Sequence, residues 1–152
     1  MHHIIHRIGI KAPASQVYQA LSTLEGLRGW WTEEVSGSPA VGKNIEFSFR
    51  TPSGEILGKM AMEVRELSSP FTVRWHCIAG PEDWIGTDIT FELAEQDNLT
   101  ILLFGHRNWR DATESSAHCS MKWATFLLSL RALVETGKGR PAPDDLKIDN
   151  WN

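Results

Sequence analysis

The sequence predicts one α+β domain in which a curved antiparallel β-sheet wraps around a long C-terminal helix. Residues 44–108 alternate between strand-like segments and turn sequences, whereas residues 113–136 contain neither Gly nor Pro and carry apolar side chains at helical spacing. The chain has 152 residues, 41% of them hydrophobic, which is enough to bury a single core. A sheet has one face to bury and an amphipathic helix has one stripe, so the two are expected to cover one another.

Net charge, cysteine content and the length of apolar stretches exclude several classes of protein. A net charge of −4 argues against binding of nucleic acid, which requires a basic surface. Cys77 and Cys119 are far apart and lack CxxC spacing, so we expect reduced thiols in a cytoplasmic protein. Because no stretch approaches the roughly 18 consecutive apolar residues of a membrane-spanning helix, no membrane partner is expected.

The N-terminal elements are a strand and two short helices. Residues 3–10 are rich in β-branched side chains, and Pro13 with its small polar neighbours can open a helix. Apolar residues recur at helical spacing over residues 14–22 and continue over residues 24–31 after a short break. The second helix is therefore expected to end at the Trp30-Trp31 pair.

Five strands are predicted in the middle of the chain. Ile45, Phe47 and Phe49 alternate with polar residues, which is the pattern of a half-buried strand. Connections this short require antiparallel pairing, since a parallel crossover needs a dozen or more residues. The predicted strands span residues 44–50, 55–66, 71–78, 83–95 and 98–108.

The last third of the sequence predicts one long helix followed by a tail. Trp123, Phe126 and Leu130 follow helical spacing, and Gly137 is placed to end the helix. The single domain is expected to cover residues 1–152, with a core of about 3–141. A polar tail covers residues 142–152, and its segment from Asp144 to Asn152 is expected to pack loosely.

Several motifs in this order resemble those of the START-like superfamily, over roughly residues 3 to 141. They are Ile8-x-Ile10-x-Ala12-Pro13-Ala14-Ser15-Gln16-Val17-Tyr18-x-Ala20-Leu21, Trp30-Trp31, Gly42 before Phe47, Trp84-Ile85-Gly86-Thr87-Asp88-Ile89-Thr90-Phe91, Phe104-Gly105-His106-Arg107-x-Trp109, and Cys119-x-x-x-Trp123-x-x-Phe126-Leu127-x-Ser129-Leu130 followed by Glu135-Thr136-Gly137-Lys138-Gly139. The branch it resembles belongs to the polyketide-cyclase and START-like proteins and is named for homology to the C-terminal domain of the heat-shock-protein ATPase activator. The resemblance implies the helix-grip fold, with an apolar cavity between sheet and helix.

Aromatic and sulfur-containing side chains are the candidate lining of that cavity. The chain contains seven tryptophans, and ligand pockets are mostly apolar and aromatic with a few polar groups. Packing of the core is the competing interpretation, because aromatic residues dominate cores as well. The candidate ligand-binding residues are Trp30, Trp31, Phe47, Phe49, Met60, Met62, Trp75, Trp84, Phe104, His106, Trp123 and Phe126.

His106 is the candidate polar group of the cavity. Strand alternation places it on the same face as Leu102 and Phe104, and the resemblance implies that this face is the concave one. Such a histidine could orient a ligand, donate a proton, or simply be satisfied by neighbouring protein groups.

Catalytic and metal sites are poorly supported by the sequence. Acid chemistry would use Glu82, Asp83, Asp88, Arg107 or His106, but nothing brings two of them together. Cys119 and its neighbour His118 diverge on a helix, and no carboxylate clearly orients His118 toward Ser115. The histidines near the N-terminus lack further ligands at metal-binding spacing, and no phosphate or dinucleotide motif is present, so no metal or cofactor is predicted.

The favoured function is non-catalytic binding of a small hydrophobic or amphipathic ligand. Two alternatives remain: a pocket enzyme of the polyketide cyclase or dehydratase type, and a co-chaperone-like, stress-related domain with a protein partner. An exposed edge strand would also permit a homodimer.

Overall fold

The computed structural model describes all 152 residues as one antiparallel sheet and three helices. The seven strands are ordered β1-β7-β6-β5-β4-β3-β2, so the first strand pairs with the last and the others form a meander. In chain order the elements are β1 (His2–Ile10), α1 (Ala14–Ser22), α2 (Leu24–Trp30), β2 (Glu34–Gly37), β3 (Asn44–Arg50), β4 (Ile56–Ser68), β5 (Thr72–Ala79), β6 (Asp88–Gln96), β7 (Leu99–Trp109) and α3 (Glu114–Thr136). The predicted helix-grip architecture is confirmed.

The ends of the long helix α3 are fixed by local sequence. The Thr113 side chain accepts a hydrogen bond from Ser116 N, and Ser116 Oγ accepts one from Thr113 N, which completes a capping box. At the other end Gly137 adopts φ 87°, a conformation that favours glycine, and its N–H donates to Leu133 O. The boundaries expected from the sequence are therefore reproduced.

The register of the sheet collects apolar side chains on one face. Ile45 lies opposite Met62 and Phe47 opposite Met60, and all four side chains are buried. The same face continues across β5, β6 and β7 through Trp75, Ile89, Phe91, Phe104 and their neighbours. This face and the buried stripe of α3 enclose the core.

Two strand predictions differ from the structure. The short strand β2 was not predicted, because only one of its four residues, Val35, is buried and no alternation can be read. The strand expected to begin at residue 83 begins at Asp88. Residues 81–87 instead form turns, in which Trp84 N donates to Pro81 O, Thr87 N donates to Trp84 O and Gly86 has φ 87°.

The C-terminal tail is buried at Ala142 and Asp145, whereas most of residues 146–151 are exposed. We call residues 141–152 the strap. Ala142 bridges to Thr32, and its N–H donates to Trp31 O over 2.9 Å. Asp145 is 4% exposed and pairs with Lys122 of α3. The strap packs because Lys122 lies on the buried side of the helix and requires a counter-charge.

Candidate functional site

Most of the space between sheet and α3 is filled by aromatic rings. The Trp31 ring lies 4.4 Å from Phe47, 4.9 Å from Trp123 and 5.9 Å from Trp75, measured between centroids. Phe104 extends the cluster, with its centroid 4.5 Å from that of Trp123. Such distances are typical of favourable aromatic pairs, so the concave face is a packed core over much of its area.

A cavity of about 200 Å³ remains where the strap, the β3–β4 hairpin and the loop after β5 meet α3. Nine of its fourteen lining residues are hydrophobic, and its polar lining comes largely from α3. The lining residues are Trp31, Phe49, Leu57, Gly58, Met60, Pro81, Trp84, His118, Cys119, Lys122, Trp123, Phe126, Trp151 and Asn152.

The structure divides the twelve predicted ligand-binding residues into two equal groups. Six line the cavity: Trp31, Phe49, Met60, Trp84, Trp123 and Phe126. The other six are buried in the core outside that lining: Trp30, Phe47, Met62, Trp75, Phe104 and His106. Strand alternation predicts that the side chains of both groups are buried. It does not predict which end of a strand borders the cavity and which end is surrounded by packed rings.

His106 is fully buried and its two ring nitrogens are both occupied. Thr87 Oγ1 lies 2.8 Å from Nε2 and also donates its only proton to Trp84 O, so Nε2 carries the imidazole proton. Trp123 Nε1 donates to Nδ1 over 3.1 Å. Burial lowers the pKa of His106 to about 3, with the Asp88 charge opposing that shift. The histidine is neutral and bonded only to protein groups.

The polar side of the cavity is dominated by Lys122. Its ammonium pairs with Asp145, donates to Leu146 O over 2.9 Å and lies 5.0 Å from the centroid of the Phe126 ring. The side chains of Lys122 and Asp145 are 10% and 1% exposed. The Lys122 ammonium at the cavity wall is therefore neutralised by Asp145 and is not a free cation.

His118 lines the cavity and is oriented by a carboxylate of the strap. Its Nδ1 lies 2.7 Å from Asp149 Oδ2, and its ring lies 5.2 Å from that of Trp151. The hydrogen bond from His118 is the main cause of the lowered pKa of the Asp149 carboxyl. This corrects the expectation that no carboxylate orients His118: the partner is distant in sequence and in a segment that was expected to be loose.

Neither cysteine is an activated nucleophile. Both are free thiols, and burial raises the pKa of Cys77 and of Cys119 to about 11. Cys119 lines the cavity as a neutral thiol, whereas Cys77 lies in the core.

The acidic and basic groups considered from the sequence lie outside the cavity lining. Asp88 accepts hydrogen bonds from Asn108 Nδ2 and pairs with His76 Nδ1, each over 2.7 Å. Arg107 donates to Thr90 over 3.2 Å. Glu82 and Asp83 are exposed in the loop before Trp84. No cluster of three or more His, Cys, Asp or Glu side chains is placed to hold a metal ion.

Eight lining residues were not predicted from the sequence: Leu57, Gly58, Pro81, His118, Cys119, Lys122, Trp151 and Asn152. One signal was present, since Lys122 lies one turn before Phe126 on the apolar stripe of α3 and such a lysine needs an acidic partner. Trp151, in a tail whose other large apolar residues are Leu146 and Ile148, was a second signal.

None of the three helices combines the length and the apolar composition of a membrane-spanning segment. No curated protein matches the chain. Among solved structures, the Aha1 dimer from Colwellia psychrerythraea is 45% identical, with a TM-score of 0.78 over 91% of this chain and 100% of that one. Protein CV1439 from Chromobacterium violaceum is 23% identical, with a TM-score of 0.73 over 89% of this chain and 99% of that one.

A third similar structure is CalU16 from Micromonospora echinospora. It is 16% identical, with a TM-score of 0.66 over 89% of this chain and 77% of that one, which shows a shared fold. The family model described as "Activator of Hsp90 ATPase homolog 1-like protein" matches residues 11–135. The START-like relationship predicted from the sequence is confirmed, and the chain belongs to the family of Activator of Hsp90 ATPase homolog 1-like proteins.

Proposed function

We propose that the protein binds a small apolar or amphipathic molecule in the cavity between α3, the β3–β4 hairpin and the strap. One observation carries this proposal: beside a core of closely packed rings, the fold leaves a cavity walled by the indoles of Trp31, Trp84 and Trp123. Convergent aromatic walls with few polar groups are typical of small-molecule sites.

The cavity's size and charge restrict the ligand. A cavity of roughly 150 Å³ lined by apolar residues binds benzene, so one of about 200 Å³ suits a molecule of one or two rings. Because Asp145 already neutralises Lys122, a ligand needs no negative charge to enter. A neutral planar molecule is the best match.

Native mass spectrometry of freshly purified protein is the first test, followed by tryptophan quenching with a panel of one- and two-ring aromatic molecules. Gly58→Leu supplies the decisive variant. Gly58 lines the cavity, and a Cβ there would have only Met60 Cε within 4 Å, at 3.9 Å. The leucine should occupy cavity space and weaken binding by more than tenfold.

Gly58→Ala is the matched control, because it adds one methyl group at the same backbone position. It should bind within about threefold of the parent chain. Equal binding by the leucine and alanine variants, or no binding of any panel member to the parent chain, would reject the cavity as the ligand site.

A cyclase-type enzyme is the second candidate, and the His118–Asp149 pair favours it. Asp149 holds Nδ1 of His118, and the histidine lines the cavity, where an imidazole could transfer a proton to or from a bound molecule. Under this hypothesis His118→Gln should retain ligand binding and lose conversion of the ligand, as measured by chromatography of the released molecule. Retained conversion would exclude His118 as the proton-transfer group.

We also propose that the partner in self-association is a second copy packed along α3. A relative of 45% identity is a dimer, and the outer side of α3 exposes Met121 at 57% and Leu128 at 48%, two turns apart. In an antiparallel pair of α3 helices, Met121 of one copy meets Leu128 of the other.

Analytical ultracentrifugation tests this interface. Met121→Glu with Leu128→Glu should convert a dimer to a monomer, whereas Val41→Glu, which replaces a residue 57% exposed between β2 and β3, should leave it intact. A parent chain that is monomeric at high micromolar concentration would refute self-association. A dimer that survives the double substitution would place the interface elsewhere.

A further inference from the structure

The end of the strap supplies part of the cavity wall. Trp151 and Asn152 line the cavity together with Phe49 and Leu57 of the β3–β4 hairpin. The family model ends at residue 135, so the strap lies beyond the matched segment. An element that both borders the cavity and follows the common fold is a candidate for controlling access to it.

The inner half of the strap is held firmly. Ala142 N donates to Trp31 O over 2.9 Å, and Glu33 N donates to Ala142 O over 3.1 Å. Asp145, almost fully buried, pairs with Lys122, whose ammonium also donates to Leu146 O. Breaking this pair would leave a buried charge without a partner, so residues 141–146 are expected to stay in place.

The outer half is held by weaker, solvent-accessible contacts. The Asp149 side chain is 37% exposed, and its pair with His118 is the main polar link between the last four residues and α3. Trp151 contacts the His118 ring but remains 48% exposed. An exposed ion pair or hydrogen bond contributes little free energy, because water competes for both partners.

Two buried acceptor atoms of the strap itself have no hydrogen-bond partner. They are Asp145 Oδ1 and Asn152 Oδ1, both buried in the closed arrangement. Asn152 Nδ2 donates to Asp145 Oδ2 over 3.3 Å, so the amide oxygen of Asn152, Oδ1, is the atom without a partner. Burying these two oxygens without partners costs free energy, because they lose their hydrogen bonds to water. The cost is recovered when water reaches them again.

From these contacts we infer that the strap is a gate for the cavity, with Lys122–Asp145 as its fixed anchor and His118–Asp149 as its releasable latch. Residues 149–152 move away from the cavity when the latch opens, the two oxygens without partners become hydrated, and a ligand enters between the displaced Trp151 and Leu57. The role of this gate in ligand exchange rests on the proposed binding function, but its movement does not.

Alkylation by N-ethylmaleimide measures the gate without any ligand. Cys119 lines the cavity behind the strap, while Cys77 is fully buried in the core and reports only global opening. In Asp149→Ala, labelling of Cys119 followed by peptide mass spectrometry should accelerate at least fivefold at constant pH. Labelling of Cys77 in the same sample should be unchanged.

Asn150→Ala is the matched control, because this exposed neighbour makes no side-chain contact with the cavity. It should label at the parental rate. Equal rates of Cys119 labelling in Asp149→Ala and the parent chain would overturn the gate, and parallel acceleration of Cys77 would show general destabilisation instead. If labelling accelerates while no panel molecule binds, the gate stands and the proposed ligand function fails.

Discussion

Trp123 donates its indole N–H to Nδ1 of His106 over 3.1 Å, and this bond joins the long helix to the last strand inside the core. The opposite nitrogen of the ring is bonded to Thr87, which in turn donates to the backbone of Trp84. One neutral imidazole thus ties α3, β7 and the loop at the cavity wall together. Protonation would remove the acceptor that Trp123 requires.

Stability should therefore fall in mild acid through His106. Its pKa is about 3 in the folded chain and 6.5 ordinarily, so between these values the unfolded chain binds more protons. The free energy of unfolding decreases as pH falls through this window and is unaffected by this group above it. Urea titrations at pH 7.5, 5.5 and 4.5 should show a shallower decline for His106→Phe.

That variant also leaves the Trp123 N–H without an acceptor, which should cost about 1–3 kcal/mol at neutral pH. His2→Gln, at a half-buried histidine with no side-chain hydrogen bond, serves as the control and should keep the parental pH profile. Identical slopes for His106→Phe and the parent chain would show that another group governs acid sensitivity.

Lys122→Met should lower the free energy of unfolding by roughly 3–5 kcal/mol, because Asp145 would remain buried without its cation. Adding Asp145→Leu should restore most of the loss. Lys147→Met, which removes an exposed ammonium 3.9 Å from the same carboxylate, should cost about 0–1 kcal/mol. Equal losses for the two lysine variants in chemical denaturation would contradict a buried anchor.

Gly26→Ala should destabilise the protein although Gly26 lies within a helix, where alanine is normally better by roughly 0.5–1 kcal/mol. A Cβ at this position would lie 2.5 Å from Ala20 Cα and 2.6 Å from Ala20 O, so α1 and α2 would have to separate. We expect a loss of about 2 kcal/mol or more by thermal or urea unfolding. A gain in stability would mean that the two helices are less closely packed than described.

Phe126→Ala should enlarge the cavity at the expense of stability. Phe126 is 5% exposed and lines the cavity, and truncation of a buried phenylalanine typically costs about 3–5 kcal/mol. In the quenching assay the variant should accept larger ring systems than the parent chain. Phe71→Ala, at a site 47% exposed, should cost less than about 1 kcal/mol and leave ligand size preference unchanged. If neither variant changes the preferred ligand size, Phe126 does not contact the ligand.

Local patterns predicted most of the elements. The three-and-four spacing of apolar residues and Gly137 predicted α3, and alternation in β3 predicted which of its side chains are buried. The misplaced start of β6 has a local cause. Asp83 to Thr87 reads as strand-like, but turns stabilised by Trp84 and Thr87 interrupt it.

Six of the twelve predicted residues line the candidate site. The rest could not be predicted, because the volume of a cavity is the difference between the space that the backbone encloses and the space that the side chains fill. Trp75 and Trp84 look alike in the sequence, yet Trp75 packs 5.9 Å from Trp31 while Trp84 borders open space. The strap was missed because its contacts join residues that are far apart in the chain, including Lys122 with Asp145, His118 with Asp149 and Trp31 with Ala142.

The fold class, most of the strands and helices, the buried faces and the family can be predicted from the amino-acid sequence, because they depend on periodicity, turn residues and motif spacing. Tertiary packing determines which of the buried aromatic rings also border a cavity, as Trp31 and Trp123 do and Trp75 does not. It also decided that His106 is fully satisfied and that the tail closes over α3. Those features depend on the spatial distance between segments that are far apart in the chain, and no local sequence pattern contains that distance.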